Sequence, residues 1–523
     1  MDEPIRDTKV KSSIESSNIE SNNKIKAAAV FSYFLIILNI LFGVFYLPWI
    51  ISNVGKSSYA IYTLTLSIIS FFSIDFGLGE TISRYVSKYR LENNDEKLRE
   101  LFNAITKIFL AIAIFIFLSL MVIYFNIDKI YAELTYEELV KFKKVFVFSA
   151  LFCSYHILFS PFNGILIGNG RFIFIKIVEL INKLTIIIIT TIALVFNFDV
   201  YGLIFAYIAA GTLVIVLKFI YILKNKLFEF KFVRVSRKMY KSIIIFSGWN
   251  MVALLTQRLT YNIVPSLLGF FSGTAEIALF TIALSIEGYI WTFSNALNGL
   301  FLPKITKLNI DGKTEEINQT MIAVGRFQLF FMGLIILGFY LLGPEFVNLW
   351  VGEDLEPAAL VGFFLVVTGL FTYTYGIAYT YLLVVKKVKY YALSLIISLV
   401  ITLTSAVFLI PHYGALGASI AIFGGNFIGQ VIIMNIFYHK IIGFNMIDFY
   451  KKVHLRSVIP MAVTLVFGIY IKQLIEEYSI KNLIIKIMLV SIVYVALSFI
   501  FVLTKEEKIR ILKFKRSDLW KKS

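Results

Sequence analysis

Ile108-Phe-Leu-Ala-Ile-Ala-Ile-Phe-Ile-Phe-Leu-Ser-Leu-Met-Val-Ile-Tyr-Phe125 contains no charged residue, and only Ser119 and Tyr124 carry a polar atom in the side chain. As an α-helix this run is about 27 Å long, close to the hydrocarbon thickness of a bilayer. The apolar residues are continuous rather than alternating, which argues against a strand of a membrane barrel. Runs of similar character recur along the whole chain. They predict fourteen membrane spans at roughly 27–50, 58–80, 103–126, 145–168, 173–197, 199–223, 242–270, 274–302, 320–343, 357–385, 390–410, 413–438, 455–475 and 482–504. No polar stretch between them is long enough to fold as a soluble domain.

Composition agrees with this reading. Of the 523 residues 59% are apolar and 16% charged, with a mean hydropathy of +0.81. Soluble domains run near ~45–50% apolar and ~25% charged. A single globular core cannot bury this much apolar surface, so a soluble enzyme is excluded and an all-α polytopic membrane protein expected.

The formal net charge is +17. In a soluble protein such an excess would suggest nucleic acid. Here the basic residues are scattered over short loops, which fits cytoplasmic loops beside anionic lipid and argues against a nucleic-acid partner. With the N-terminus placed in the cytoplasm, forty of the 50 Lys and Arg fall on the inner side, eight on the outer side, and Lys183 and Arg258 within spans. Lys486 counts among the outer eight in this reading. The asymmetry supports an even number of spans with both termini inside a cell membrane. A missed span would invert every later loop. The polar N-terminal tail lacks the apolar core and small-residue cleavage site of a secretory signal, so the first span is expected to remain as an anchor. The single cysteine, Cys153, permits no intrachain disulfide.

Two internal echoes suggest duplication. Pro48-Trp-Ile-Ile-Ser-Asn-Val-Gly55 resembles the stretch from Pro265, and Tyr201-Gly-Leu-Ile-Phe-Ala206 resembles Tyr413-Gly-Ala-Leu-Gly-Ala418. Spans 1–6 and 7–12 are therefore read as two parallel six-helix lobes related by an axis along the membrane normal. The expected organisation is a cytoplasmic tail 1–26, an N-lobe 27–223, a basic cytoplasmic linker 224–241, a C-lobe 242–438, two extra spans within 455–504 and a basic tail 505–523. The linker and the C-terminal tail mix basic and aromatic residues and read as segments lying on anionic lipid.

Several motifs, taken in order, carry a resemblance. They are Tyr46-Leu-Pro48, Gly55 and Tyr62, then Asp75-Phe-Gly77 and Arg84, then Gly164-Ile-Leu-Ile-Gly-Asn-Gly170-Arg171. They continue with Ser285, Ser294 to Leu297, Leu302-Pro303, Phe346-Val-Asn-Leu-Trp350-Val-Gly352 and Pro411-His-Tyr-Gly414-Ala-Leu-Gly417. Together they span about residues 27–440. The chain resembles the polysaccharide-biosynthesis flippases, the O-antigen (Wzx-type) exporters of the multidrug/oligosaccharidyl-lipid/polysaccharide (MOP) superfamily. The resemblance implies movement of a lipid-linked oligosaccharide from the inner to the outer leaflet, for cell-surface polysaccharide biosynthesis.

Ionisable residues inside spans cost about 2.5–3.5 kcal/mol each on insertion scales, so they point to a cavity or a partner. Lys183 lies mid-span, with Glu179 one turn earlier on the same helix face. Arg258 and Glu287 lie near the middles of spans 7 and 8. The expectation is a central cavity between the lobes, where Arg258 and Lys183 bind the phosphate of a polyprenyl-linked sugar, the Arg through its planar fork and the Lys as a point charge. Glu287 and Glu179 would hold the cations in the empty state or take up protons. Gln257 and Asn250, on the Arg258 helix, would meet sugar hydroxyls. The bland alternative is that these charges are structural ion pairs and the amides packing contacts. Asp75, Glu80 and Arg84 read as a gate at the inner end of span 2. Tyr373, Tyr375, Tyr379 and Tyr381 read as a sugar-stacking platform or an aromatic belt.

Enzyme chemistry has no foothold. The four histidines are scattered, no metal-ligand cluster or phosphate-cradling loop occurs, and no cofactor is expected. Energy would come from an ion gradient (H+ or Na+), the membrane potential or mass action. A multidrug exporter of the same superfamily is the alternative. It is disfavoured because span 1 lacks a carboxylate and because Arg258 and Lys183 would repel a cationic drug. A membrane-embedded polymerase would need large outer loops, which are absent.

Overall fold

The computed structural model describes residues 42–73, 77–228, 233–298, 301–502 and 508, apart from the side chains of 244–247, 250, 293, 295–298, 302 and 303. Among the described residues there is no strand. The chain forms two compact units, Met1–Arg258 and Leu259–Ser523.

The first unit opens with helix α1 (42–72), interrupted at Gly55, whose φ of +78° ends one helical run and starts the next. α2 (Leu78–Leu91), α3 (Asp95–Ile130), α4 (Tyr136–Phe159), α5 (Pro161–Gly168), α6 (Phe172–Val195) and α7 (Asp199–Lys224) follow, and α8 (Arg237–Asn262) carries the chain into the second unit. Local chemistry sets the boundaries. Asn94 caps α3 by accepting the Lys97 N–H at 3.0 Å, and Thr135 and Glu138 form a reciprocal capping box on α4. Pro161 supplies the first turn of α5 and so separates it from α4.

The second unit adds α9 (Val264–Phe271), α10 (Thr274–Asn298), α11 (Leu302–Ile310), α12 (Thr314–Val351), α13 (Ala358–Val366), α14 (Gly369–Thr372), α15 (Gly376–Val384) and α16 (Val388–Asn426). Two π-helical segments (Phe427–Ile433 and Tyr438–Ile442) flank α17 (Met434–Phe437), and α18 (Met446–Leu474) and α19 (Ile480–Phe501) complete the chain. α16 breaks at Gly414, whose φ of +52° and ψ of −130° are non-helical. Glu276 Oε2 accepts the Ala415 N–H at 2.7 Å and so satisfies the amide that the break exposes.

The described parts of the expected spans are largely helical, several of them through two or three consecutive helices, and residues 27–41 of the first span lie outside the described residues. Nine helical segments among the described residues are long and apolar enough to cross a bilayer. One of these, Val388–Ile442, is 55 residues long and folds as two arms at Gly414, so the expected fourteen is approximately consistent with the helices observed. The chain is thus a multi-pass membrane protein. α3 shows why: Leu110, Ile114, Phe115, Leu118, Val122 and Phe125 all point outward, a lipid-facing stripe that water would not tolerate.

Several helices extend beyond the expected spans, among them α3, α4, α8, α12 and α18. α8 starts inside the expected linker, because Ser236 accepts the Met239 N–H at 3.2 Å and caps the helix five residues early. α12 runs on to Val351 through Pro344, past the point where the apolar run alone ends.

Candidate functional site

In the first unit the expected cations are placed by α6 and α8. Lys183 is half-buried on α6 and makes no ion pair or hydrogen bond among the described residues. The i, i+4 pairing with Glu179 does not form. Glu179 pairs instead with Lys176, one turn toward the helix start, at 2.8 Å. Both spacings lie on one helix face. Arg258, exposed on α8, donates from Nη1 to Ser70 Oγ on α1 at 2.9 Å. This fixes the guanidinium and leaves most of its fork unspent. Gln257 makes no hydrogen bond among the described residues, and the side chain of Asn250 lies outside them.

Of the expected gate, Asp75 lies outside the described residues. Glu80 and Arg84 are exposed one turn apart on α2. Gly77 opens that helix with φ +66°, and a Cβ there would sit 3.3 Å from the Met251 backbone nitrogen. The position favours glycine for its backbone angle, and a side chain there would press on the Met251 backbone. α2 in turn packs on α5 through Gly164 and Gly168.

In the second unit Glu287 lies on α10 at 8% exposure and accepts a hydrogen bond from Tyr373 Oη at 3.3 Å. Nearby, Ser398 donates to Asn426 Oδ1 at 2.8 Å, and Asn426 Nδ2 donates to Tyr261 Oη at 3.2 Å. Asn426 is thus helix-packing glue. Of the other tyrosines of the expected platform, Tyr375 is in the core and donates to the Gln430 carbonyl at 2.5 Å, while the half-buried Tyr379 packs on Tyr391 and Tyr381 on Phe444. Tyr375 thereby satisfies a carbonyl within the π-helical segment. Replacing Tyr373 by Phe is expected to destabilise the protein by about 0.5–1.5 kcal/mol, the net worth of an intramolecular hydrogen bond. Glu287→Gln, which keeps an acceptor, is expected to stay near wild type. Thermal unfolding in detergent checks both, and equal behaviour of the two variants refutes the assignment.

Sequence reasoning misses one pair. Lys486 Nζ on α19 lies 2.7 Å from Glu345 Oε2 on α12, and both side chains are fully buried. The charge count assigns Lys486 to an outer loop, and the span boundaries leave Glu345 just past a span end. Asn163 reads from the sequence only as a polar residue, yet it accepts a hydrogen bond from Lys218 at 2.8 Å and ties α5 to α7.

No curated protein matches the sequence significantly. Solved structures do match in fold. A lipid II flippase, MurJ, in an inward closed conformation aligns with a TM-score of 0.67 at 16% identity, covering 91% of this chain and 98% of that one. An inward-facing multidrug-resistance MATE transporter of the MOP superfamily aligns at 0.62 and 15% identity, covering 74% and 91%. A mutant of the Vibrio cholerae MATE transporter VcmN aligns at 0.55 and 16% identity, covering 81% and 99%. The helical fold is thus shared with these structures. The sequence pattern of a family described as polysaccharide biosynthesis protein matches residues 27–309, more than half of the chain, and the protein belongs to that family.

Proposed function

We propose that the protein is a flippase that moves a lipid-linked oligosaccharide, a polyprenyl-phosphate-linked sugar repeat unit, from the cytoplasmic to the outer leaflet by alternating access. The observation that carries this reading is Lys183, a half-buried cation on an apolar helix without a counter-charge among the described residues. A lone ammonium at membrane depth costs about 2.5–3.5 kcal/mol. A phosphate arriving with its lipid tail still in the bilayer offsets that cost and gives the transporter a reason to keep the charge. Arg258, already oriented by Ser70, supplies a bidentate partner for the same anion. Family membership and the fold shared with a lipid II flippase support the reading.

In this proposal Gln257 and Asn250 bind sugar hydroxyls, Glu179 and Glu287 balance charge or carry a coupling proton, and Asp75, Glu80 and Arg84 gate the inner side. The lobes are 27–223 and 242–438, the linker 224–241 and tail 505–523 rest on cytoplasmic-leaflet lipid, and both termini face the cytoplasm across the cell membrane. H+ or Na+ is the coupling ion. An ion-coupled multidrug exporter is the second reading, favoured by the likeness to MATE transporters and by the buried Glu287.

The test is translocation of labelled lipid-linked oligosaccharide in proteoliposomes. Lys183→Ala and Arg258→Ala are each expected to slow transport at least about tenfold, the loss of one charge-assisted contact. Wild-type rates in both variants overturn the anion site. Efflux of a cationic dye, with no movement of the glycolipid, establishes the exporter instead.

A further inference from the structure

We infer that the end of the first unit formed by the α2–α3 turn and the residues after α7 binds the phosphate-bearing headgroup of an anionic phospholipid, independently of any transported substrate. Arg90, Arg99 and Lys226 line one small cavity there, over an apolar floor of Leu98 and Phe102, with Asp95 as the only carboxylate in the lining. The three cations come from three different elements. They are brought together by the fold, not by a run of sequence.

Two details suit the site to exchange with a ligand. Arg90 Nη2 donates to the carbonyls of Lys226 and Leu227 at 3.5 and 3.4 Å, long bonds that a phosphate oxygen outcompetes. Lys226 itself holds a left-handed backbone, φ +51°, which turns the chain after α7 at the edge of the cavity it lines. The turn is anchored beneath by Phe228, whose ring packs on Phe102 at 4.5 Å.

Leu91 decides between a lipid and a soluble phosphate. It is 84% exposed at the end of α2, next to Arg90. A lone leucine held out beside several cations suits the acyl boundary, with the cations level with the phosphates. A soluble phosphate would gain nothing from it.

The experiment follows thermal unfolding of the full-length protein in neutral detergent while one additive is titrated. The additives are short-chain phosphatidylglycerol, phosphatidylcholine of the same chain length, and inorganic phosphate. Phosphatidylglycerol is expected to raise the midpoint saturably, and phosphatidylcholine to leave it unchanged. Arg99→Gln combined with Lys226→Gln is expected to raise the half-saturating concentration at least about tenfold, and Leu91→Ser about threefold. Lys304→Gln combined with Lys307→Gln removes the same charge from the second unit and is expected to change nothing. Equal weakening in both double variants reduces the effect to overall charge and overturns the site. An equal midpoint rise with inorganic phosphate overturns the lipid assignment in favour of a soluble anion. Lys226→Gln alone, at an exposed turn, repeats the test should the double variant fail to fold.

Discussion

Lys486→Met is expected to destabilise the protein by about 3–5 kcal/mol. Lys486 and Glu345 are 2.7 Å apart and have no exposed surface. Lys486 also lies 5.9 Å from the Tyr478 ring centre, a cation–π distance. Glu345 Oε1 has no hydrogen-bond partner among the described residues, so the ammonium is what balances the carboxylate. Removing the lysine strands a negative charge in an environment that cannot hydrate it. The charge-insertion cost of about 2.5–3.5 kcal/mol gives a figure of the same order. Glu345→Leu strands the lysine and is expected to cost as much. The double variant, Glu345→Leu with Lys486→Met, is expected to recover most of the loss, because two apolar side chains need no partner. Thermal unfolding followed by size-exclusion fluorescence separates the outcomes. Single variants as stable as wild type would show that the pair holds nothing together. A double variant no better than the singles would place the effect in packing rather than charge.

That pair also marks where sequence reading stops. Run length locates the spans because every residue of a membrane helix obeys the same local rule, and Gly55 and Gly414 fall where two adjacent spans have to be separated. Arg258, Glu287 and Lys183 are legible as charges inside apolar runs. Their partners are not. Ser70 lies 188 residues from Arg258, and Tyr373 lies 86 from Glu287, separations at which spacing carries no geometric information. Lys486 sits close to a span end, where a lysine normally snorkels to water, and Glu345 follows a proline that reads as closing a helix. Only the continuation of α12 past Pro344 brings the two together. Glu179 fails for a different reason. Two lysines are within reach on its own helix face, and the sequence offers no ground for choosing between them.

Gly168→Leu is expected to drive α2 and α5 apart and to abolish transport together with much of the folded population. Gly164 and Gly168 are four residues apart, so they share one face of α5, the small-xxx-small arrangement by which membrane helices approach closely. A Cβ at Gly164 would lie 2.6 Å from the Gly79 carbonyl oxygen and 2.9 Å from Ile82 Cβ. At Gly168 it would lie 2.7 Å from the Ser83 oxygen and 2.8 Å from Val86 Cβ. Two of these obstacles are backbone atoms, which have no rotamer to retreat into. Ser87 Oγ also donates to the Gly168 carbonyl at 2.8 Å, so separating the helices breaks a polar contact as well. Alanine at either position is expected to cost about 1–3 kcal/mol, the usual range for overpacking, and leucine more. The helix that would move carries Glu80 and Arg84, so the proposed gate shifts with it. Gly338→Ala is the control. That glycine is helical with nothing within 4 Å, and alanine there should be neutral or favourable by up to about 1 kcal/mol through helix propensity. Thermal unfolding and glycolipid translocation are measured on the same preparations. If Gly164→Ala and Gly168→Ala match Gly338→Ala in both, the close approach of α2 and α5 has no energetic weight. If they lose transport while keeping stability, the approach serves the gate more than the fold.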